Sequence, residues 1–190
     1  MTKNRLEAFS DGVLAIIITI MILEIKVPKE DTFESLKPII PVFLSYVLSF
    51  VYIGIYWNNH HHLLHTVKKV TGTIMWSNLF LLFWLSLIPF GTNWIGAQRF
   101  TSIPTFIYGF ILLMCAVSYI VLQNSIIRQH GLESVLAKAV EKDLKGKISL
   151  TCHITALPLA FVAPWISEIL YIVAALIWII PDRRIEKQLN

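Results

Sequence analysis

The chain has 190 residues, of which 56% are hydrophobic and only 15% charged, and its mean hydropathy is +0.67. A soluble domain needs more charge on its surface, so the composition excludes an ordinary soluble protein and favours the lipid bilayer as solvent. The net charge of +4 does not indicate a nucleic-acid partner. The basic residues lie between the apolar stretches, where anionic lipid headgroups account for them.

Six apolar stretches separated by short polar connectors fill the chain. A helix that crosses a bilayer needs about 20 mostly apolar residues. The sequence therefore predicts an all-α integral membrane protein with one six-helix transmembrane domain over residues 1–190. In chain order, the predicted spans are 5–27, 38–60, 73–94, 104–128, 147–163 and 166–180.

Capping residues and prolines indicate where several of these helices begin or bend. Asn4 and Glu7 have the spacing of a helix start in which two side chains satisfy free backbone amides. The segment 37–41 contains two prolines and predicts the start of the second helix, and Pro104 predicts the start of the fourth. Pro158 predicts a kink in the fifth helix.

The distribution of Lys and Arg predicts the topology. With a cytoplasmic N-terminus, the cytoplasmic side holds 12 of the 16 basic residues, namely Lys3, Arg5, Lys68, Lys69, Arg128, Lys138, Lys142, Lys145, Lys147, Arg183, Arg184 and Lys187. The other side holds Lys26, Lys29, Lys37 and Arg99. The positive-inside rule then places both termini in the cytoplasm.

The first helix differs from an ordinary lipid-facing span. Its uninterrupted apolar core, 13–23, is short, and the ionisable residues Asp11 and Glu24 flank it. Ionisable groups at membrane depth are costly unless they are paired or face water, so we expect this helix inside the bundle or along an aqueous path. Arg5 lies six residues before Asp11 and faces another direction, so we expect Asp11 to pair with another helix.

Ile16, Ile20 and Leu23 form one apolar stripe along the first helix, because their spacing is that of a single helix face. From the pattern alone, ordinary core packing explains this stripe better than a role in a pore.

Cysteines and histidines offer a metal hypothesis that we consider weaker than a structural one. Cys115 and Cys152 lie in apolar stretches without CxxC spacing, as expected of small buried side chains. The cluster of His60, His61, His62 and His65 could supply imidazole ligands. No second cluster accompanies it, so structural hydrogen bonding is the preferred interpretation.

The segment Arg5-Leu6-Glu7-Ala8-Phe9-Ser10-Asp11 reads RxxxFSD at the start of the first helix. This motif resembles the signature of the transmembrane protein 175 family of potassium channels, in the bacterial form with one six-helix repeat. The resemblance implies a homotetramer in which the first helices line a central pore without a re-entrant P-loop, and the sequence contains no TVGYG-like segment. It also implies a potassium-permeable channel, not an enzyme, with monovalent cations as permeant species and no cofactor or metal.

The resemblance assigns roles to residues of the first helix. It implies that Ile16, then Ile20 and Leu23, form a narrow aliphatic constriction, which raises the pore interpretation of the stripe above core packing. Thr19 falls where the family often has a hydroxyl near the constriction. Its side chain either helps an ion to shed water or bonds back to its own helix.

Further residues match the family as a structural network that positions the pore helix, namely Arg5, Phe9, Ser10 and Asp11. The segment Trp57 to His65, with His60 and His61, resembles the tryptophan and histidines of the family's second helix. Trp165 is the candidate for an aromatic near the last helices, and we expect cross-helix bonds among Arg5 or Asp11, a histidine and Trp165.

Two alternatives stay open from the sequence. Asp11 and Glu168 could carry protons or cations in a secondary transporter, although the chain shows no internal repeat. A purely structural membrane protein is the other alternative. For either class, the sequence fits a multi-pass protein of a bacterial plasma membrane.

Overall fold

The regular secondary structure is helical throughout the computed structural model, which describes residues 2–131, 133–140 and 143–179. Its elements are α1 (Lys3–Leu23), a 3₁₀ helix (Phe33–Ile39), α2 (Ile40–His65), α3 (Gly72–Ser86), α4 (Ile88–Ala97), α5 (Ser102–His130), α6 (Val135–Val140), α7 (Leu144–Val162) and α8 (Pro164–Ile179). Among the described residues, four helical segments are long and apolar enough to cross a membrane, namely Lys3–Leu23, Phe33–His65, Gly72–Ala97 and Ser102–His130. Helix α8 is apolar and shorter, with 16 residues.

The helices pack as one bundle around a continuous apolar core that extends from Leu6 of α1 to Ala175 of α8. Helix α1 packs against α2, α3 and α4, whereas α5 packs against α3, α4, α7 and α8. Helices α7 and α8 form a hairpin in which only Ala163 separates them. Helix α1 therefore lies at one side of the bundle and leaves part of its surface uncovered.

The predicted third span, 73–94, is two helices in the structure, because α3 ends at Ser86 and α4 begins at Ile88. Pro89 explains the break, since proline has no N–H and its ring collides with the carbonyl four residues earlier. The Leu87 N–H bonds to the Trp84 carbonyl oxygen at 3.2 Å, which closes α3 with a tighter turn.

The other spans differ from prediction at their ends. Helix α1 begins at Lys3 with Thr2 at the N-cap position, so Asn4 lies inside the helix and is not its cap. It ends at Leu23, four residues before the predicted end, and the segment that follows leads into Pro28, which disfavours a helical residue before it. Helix α2 continues to His65.

Near the C-terminus, α7 begins at Leu144, earlier than predicted, because the Asp143 side chain accepts a hydrogen bond from the Gly146 N–H at 3.1 Å. Ile180, the end of the predicted sixth span, lies outside the described residues. So do four basic residues of the topology count, namely Lys142, Arg183, Arg184 and Lys187.

The connection between α5 and α7 contains the short helix α6, which the sequence did not predict. Just before it, the Glu133 carboxylate pairs with the Lys138 ammonium at 2.8 Å. The hydrogen bond and positive charge of Lys138 lower the pKa of Glu133, and the same pair raises the pKa of Lys138. Both groups are exposed, so this pair contributes little to stability.

Close packing of α5 against α8 depends on Gly109. A Cβ atom at this position would collide with the Tyr171 ring and hydroxyl. The Tyr171 hydroxyl is fixed there because it donates to the Thr105 carbonyl oxygen at 3.2 Å. The absence of a side chain at Gly109 therefore allows the second half of the bundle to close.

Candidate functional site: the first helix

One face of α1 is buried in the bundle. Its buried residues recur every three or four positions and are Leu6, Ser10, Leu14, Ile17 and Met21, each no more than 3% exposed. This spacing keeps them on one side of a helix with 3.6 residues per turn.

The predicted stripe of Ile16, Ile20 and Leu23 lies on a different face and is exposed. The exposed fractions of these side chains are 58%, 43% and 81%, respectively. Core packing within one copy of the chain therefore does not account for the stripe. Ile16 and Ile20 line an open groove of about 770 Å³ between α1 and α4.

The Thr19 hydroxyl lies on the exposed surface and donates to the Ile16 carbonyl oxygen at 2.8 Å. This is the back-bonded arrangement that the sequence left as one of two alternatives.

A buried hydrogen-bonded chain ties α1 to its two neighbours. The Asn78 amide nitrogen donates to the Ser10 hydroxyl at 3.0 Å, and that hydroxyl donates to the Leu6 carbonyl oxygen at 2.8 Å. The Asn78 amide oxygen lies 2.7 Å from His60 Nε2. An amide oxygen can only accept a hydrogen bond, so the proton of this bond belongs to His60 Nε2.

We name these three side chains, Ser10, Asn78 and His60, the α1 seam. They come from α1, α3 and α2, and none is more than 3% exposed. Sequence analysis identified Ser10 and His60 but missed Asn78. A signal was present, because an asparagine in the apolar run 74–85 is costly to bury without a partner.

Asp11 pairs with α2. The Trp57 Nε1–H donates to the Asp11 carboxylate at 3.1 Å, on the exposed side of the helix pair. Arg5 and Phe9 also lie on the exposed side of α1. The Lys3 ammonium donates to the His65 carbonyl oxygen at 3.0 Å, so the first turn of α1 is fixed to the end of α2.

Within one copy of the chain, the described residues show no bond between this region and Trp165. Trp165 lines a groove with Leu44 of α2, whereas the α1 seam meets α2 at His60. The groove extends along α2 from Leu44 to Val51, so at least nine residues separate it from His60, which is about 14 Å at 1.5 Å per residue. Trp57, one turn before His61, is the tryptophan that donates to Asp11.

The remaining histidines of the cluster lie in the last turns of α2. His61 is exposed, and its ring lies 5.6 Å from the His62 ring and 6.3 Å from the His65 ring, centroid to centroid. In the described ranges, no group of three or more His, Cys, Asp or Glu side chains is placed to hold a metal ion.

Comparisons with known proteins agree with the motif. The family model described as endosomal/lysosomal potassium channel TMEM175 matches residues 5–89. The chain is 55% identical over 190 residues to a protein of Chryseobacterium sp. (strain P1-3) named a potassium channel, covering 100% of this chain and 99% of that one. It is 30% identical over 176 residues to a protein of Chamaesiphon minutus with the same description, covering 86% and 87%, respectively.

The fold is similar to a solved one. It matches the crystal structure of a lysosomal potassium-selective channel TMEM175 homolog from Chamaesiphon minutus with a TM-score of 0.81 and 27% identity, over 95% of this chain and 97% of that one. The family and these relatives are named as ion channels, which agrees with the prediction that the chain is not an enzyme. On its full-length similarity to the Chryseobacterium protein, the chain belongs to the TMEM175 potassium channel family.

Proposed function

We propose that this protein is a potassium-permeable cation channel and that α1 lines its pore. The observation that carries this proposal is the exposed stripe of Ile16, Ile20 and Leu23 on a helix that has another face buried in the bundle. The names of its full-length relatives support conduction of potassium.

A lipid-facing position explains the uncovered surface of α1 less well than a shared aqueous path. Asp11 and Thr19 are exposed on this helix, and Glu24 follows directly after it. Charged and hydroxyl groups are unfavourable in hydrocarbon but suit a water-filled pore or its mouth. Several copies arranged around an axis would bring their α1 helices together and cover this surface.

The assembly that we propose is a homotetramer, and the number of copies follows from the family resemblance. Each subunit would have six spans, with α3 and α4 together forming the third and the α7–α8 hairpin forming the last two. The count of basic residues supports cytoplasmic termini, which places Glu24 at the outer end of α1. A bacterial plasma membrane suits this topology.

The stripe would act as a hydrophobic constriction. Rings of aliphatic side chains exclude water when they are narrow and admit partly dehydrated cations when they widen, so the same residues gate and filter. Selectivity then depends on the dehydration cost of each cation and on nearby dipoles, without a filter of backbone carbonyls. The exposed Ile16 side chain is the first position of this constriction from the cytoplasmic end.

The substitution Ile16→Asn tests this proposal. It makes one ring of the constriction polar and wettable, so we expect potassium flux into liposomes to rise about tenfold, as for removal of a barrier of about 1.4 kcal/mol. The measurement is potassium flux against sodium flux with purified protein.

Ile154→Asn is the matched control, because Ile154 has a similar exposed fraction of 54% but lies on α7. We expect it to leave flux unchanged. Equal effects of the two substitutions would contradict the assignment of the pore face. Flux that requires a proton gradient and saturates at low turnover would instead indicate the secondary transporter. In the structure, the Glu168 carboxylate of that alternative accepts a hydrogen bond from the Thr105 hydroxyl at 3.2 Å.

A further inference from the structure

Glu24 occupies a special place relative to the predicted constriction. It directly follows the last residue of α1, one turn after Ile20, and lines the same groove as Ile16 and Ile20. Eight residues separate Ile16 from Glu24, or about 12 Å along the helix axis. Its carboxylate therefore lies at the end of the exposed stripe, on the flank that faces α4.

A neutral side chain positions this carboxylate. The Asn93 amide nitrogen of α4 donates to the Glu24 carboxylate at 2.8 Å. An amide orients a carboxylate without cancelling its charge, unlike lysine or arginine. In the described parts of the chain, the ion pairs involve Glu7, Glu34 and Glu133, and none involves Glu24.

A carboxylate near a purely aliphatic constriction can raise the concentration of cations at its entrance. Its side chains offer no ligand to a cation, so the supply of ions at its entrance limits the current when salt is dilute. Carboxylates at a pore mouth raise the local cation concentration, and rings of Asp or Glu serve cation channels in this way.

We propose that the Glu24 carboxylates of the assembled copies form a cation-concentrating ring at the outer mouth of the pore, and that Asn93 is the positioning residue that holds each carboxylate there. This inference rests on the proposed channel function and its pore helix. The ring takes monovalent cations as its ligand class and acts on the rate at which they reach the constriction.

The test is single-channel recording of the purified protein in planar bilayers, comparing wild type with Glu24→Gln. Glutamine keeps the shape and an acceptor for Asn93 but removes the charge. At about 20 mM potassium, where the Debye length exceeds 20 Å, we expect inward current to fall roughly twofold. At about 1 M potassium, where the Debye length is near 3 Å, the two proteins should conduct equally.

Three further variants separate a positioned ring from a general surface charge. Glu24→Asp should retain most of the low-salt current. Glu34→Gln removes a carboxylate that pairs with Lys37 at 2.7 Å in the 3₁₀ helix, and it should leave the current unchanged. Asn93→Ala should lower the low-salt current in the wild-type background and have no further effect in the Glu24→Gln background.

The outcomes distinguish this inference from the channel proposal. Absence of potassium current in the wild type overturns both. Wild-type current that responds to Ile16→Asn, with low-salt current unaffected by Glu24→Gln, overturns the ring alone. Equal losses in Glu24→Gln and Glu34→Gln also overturn it, because the effect would then belong to the whole outer surface.

Discussion

Two buried polar clusters occupy different parts of the bundle and differ in the helices that they join. The α1 seam links α1 to α2 and α3. The second cluster consists of Tyr52, His153 and Tyr171 and links α2 to α7 and α8. In it, the Tyr52 hydroxyl donates to the Tyr171 carbonyl oxygen at 2.7 Å and lies 3.4 Å from His153 Nε2.

The second cluster joins helices of the scaffold to one another. The α1 seam joins the candidate pore helix to that scaffold. Both clusters are buried, so removing a hydrogen bond from either should lower the free energy of unfolding. Only the α1 seam contains a residue of the helix with the exposed stripe. We therefore expect conduction to respond to the seam and not to the second cluster.

Asn78→Leu should give the largest effect. It removes both bonds of the seam and leaves His60 Nε2 without its acceptor, at a cost of about 1–3 kcal/mol in the free energy of unfolding. Potassium flux per folded protein should change, because α1 loses its polar contact with α3. Denaturant unfolding in detergent micelles and liposome flux measure the two effects.

Ser77→Ala is a matched control for that change, since Ser77 lies beside Asn78 and bonds to Ser125 at 2.9 Å, away from α1. It should leave flux unchanged. If flux per folded protein were the same in Asn78→Leu and wild type, the seam would be part of the scaffold only.

Tyr52→Phe should have an intermediate effect. It removes one buried hydroxyl and its bond to the Tyr171 carbonyl oxygen, which costs about 0.5–1.5 kcal/mol in the free energy of unfolding. Flux should be unchanged after correction for the folded fraction. A change in conduction as large as that of Asn78→Leu would remove the distinction between the two clusters.

Trp57→Phe should have the smallest effect on stability, below about 1 kcal/mol, because its bond to Asp11 is at an exposed position where water competes. The same unfolding measurement tests it, with Trp76→Phe as the control at an exposed tryptophan of α3. A larger loss in the free energy of unfolding than that of Asn78→Leu would show that Asp11, and not the buried seam, fixes α1.

The helical membrane fold was predictable from sequence because long apolar runs have few alternatives in a bilayer. The helix ends were less predictable. Hydropathy continues unbroken through the third span, so it does not show the break before Pro89. The predicted span of α1 continued to Val27, beyond its apolar core 13–23, whereas the chain leaves the helix at Leu23, ahead of Pro28.

Partners were harder to predict than positions. The position of Asp11 beside an apolar core and its spacing from Arg5 indicated that it needs a partner on another helix, but they did not indicate which side chain that is. Only the level at which each helix crosses its neighbour selects Trp57 and not Trp165. The exposure of the Ile16 stripe could not be derived either, because helical spacing shows which residues share a face but not what that face meets.

The single residue between α7 and α8 has a consequence for how the protein is made. Ala163 spans at most about 3.6 Å, so the connection between α7 and α8 is too short to form a separate loop in the headgroup layer. In the proposed six-span topology, we therefore expect the last two helices to enter the bilayer together, as one hairpin.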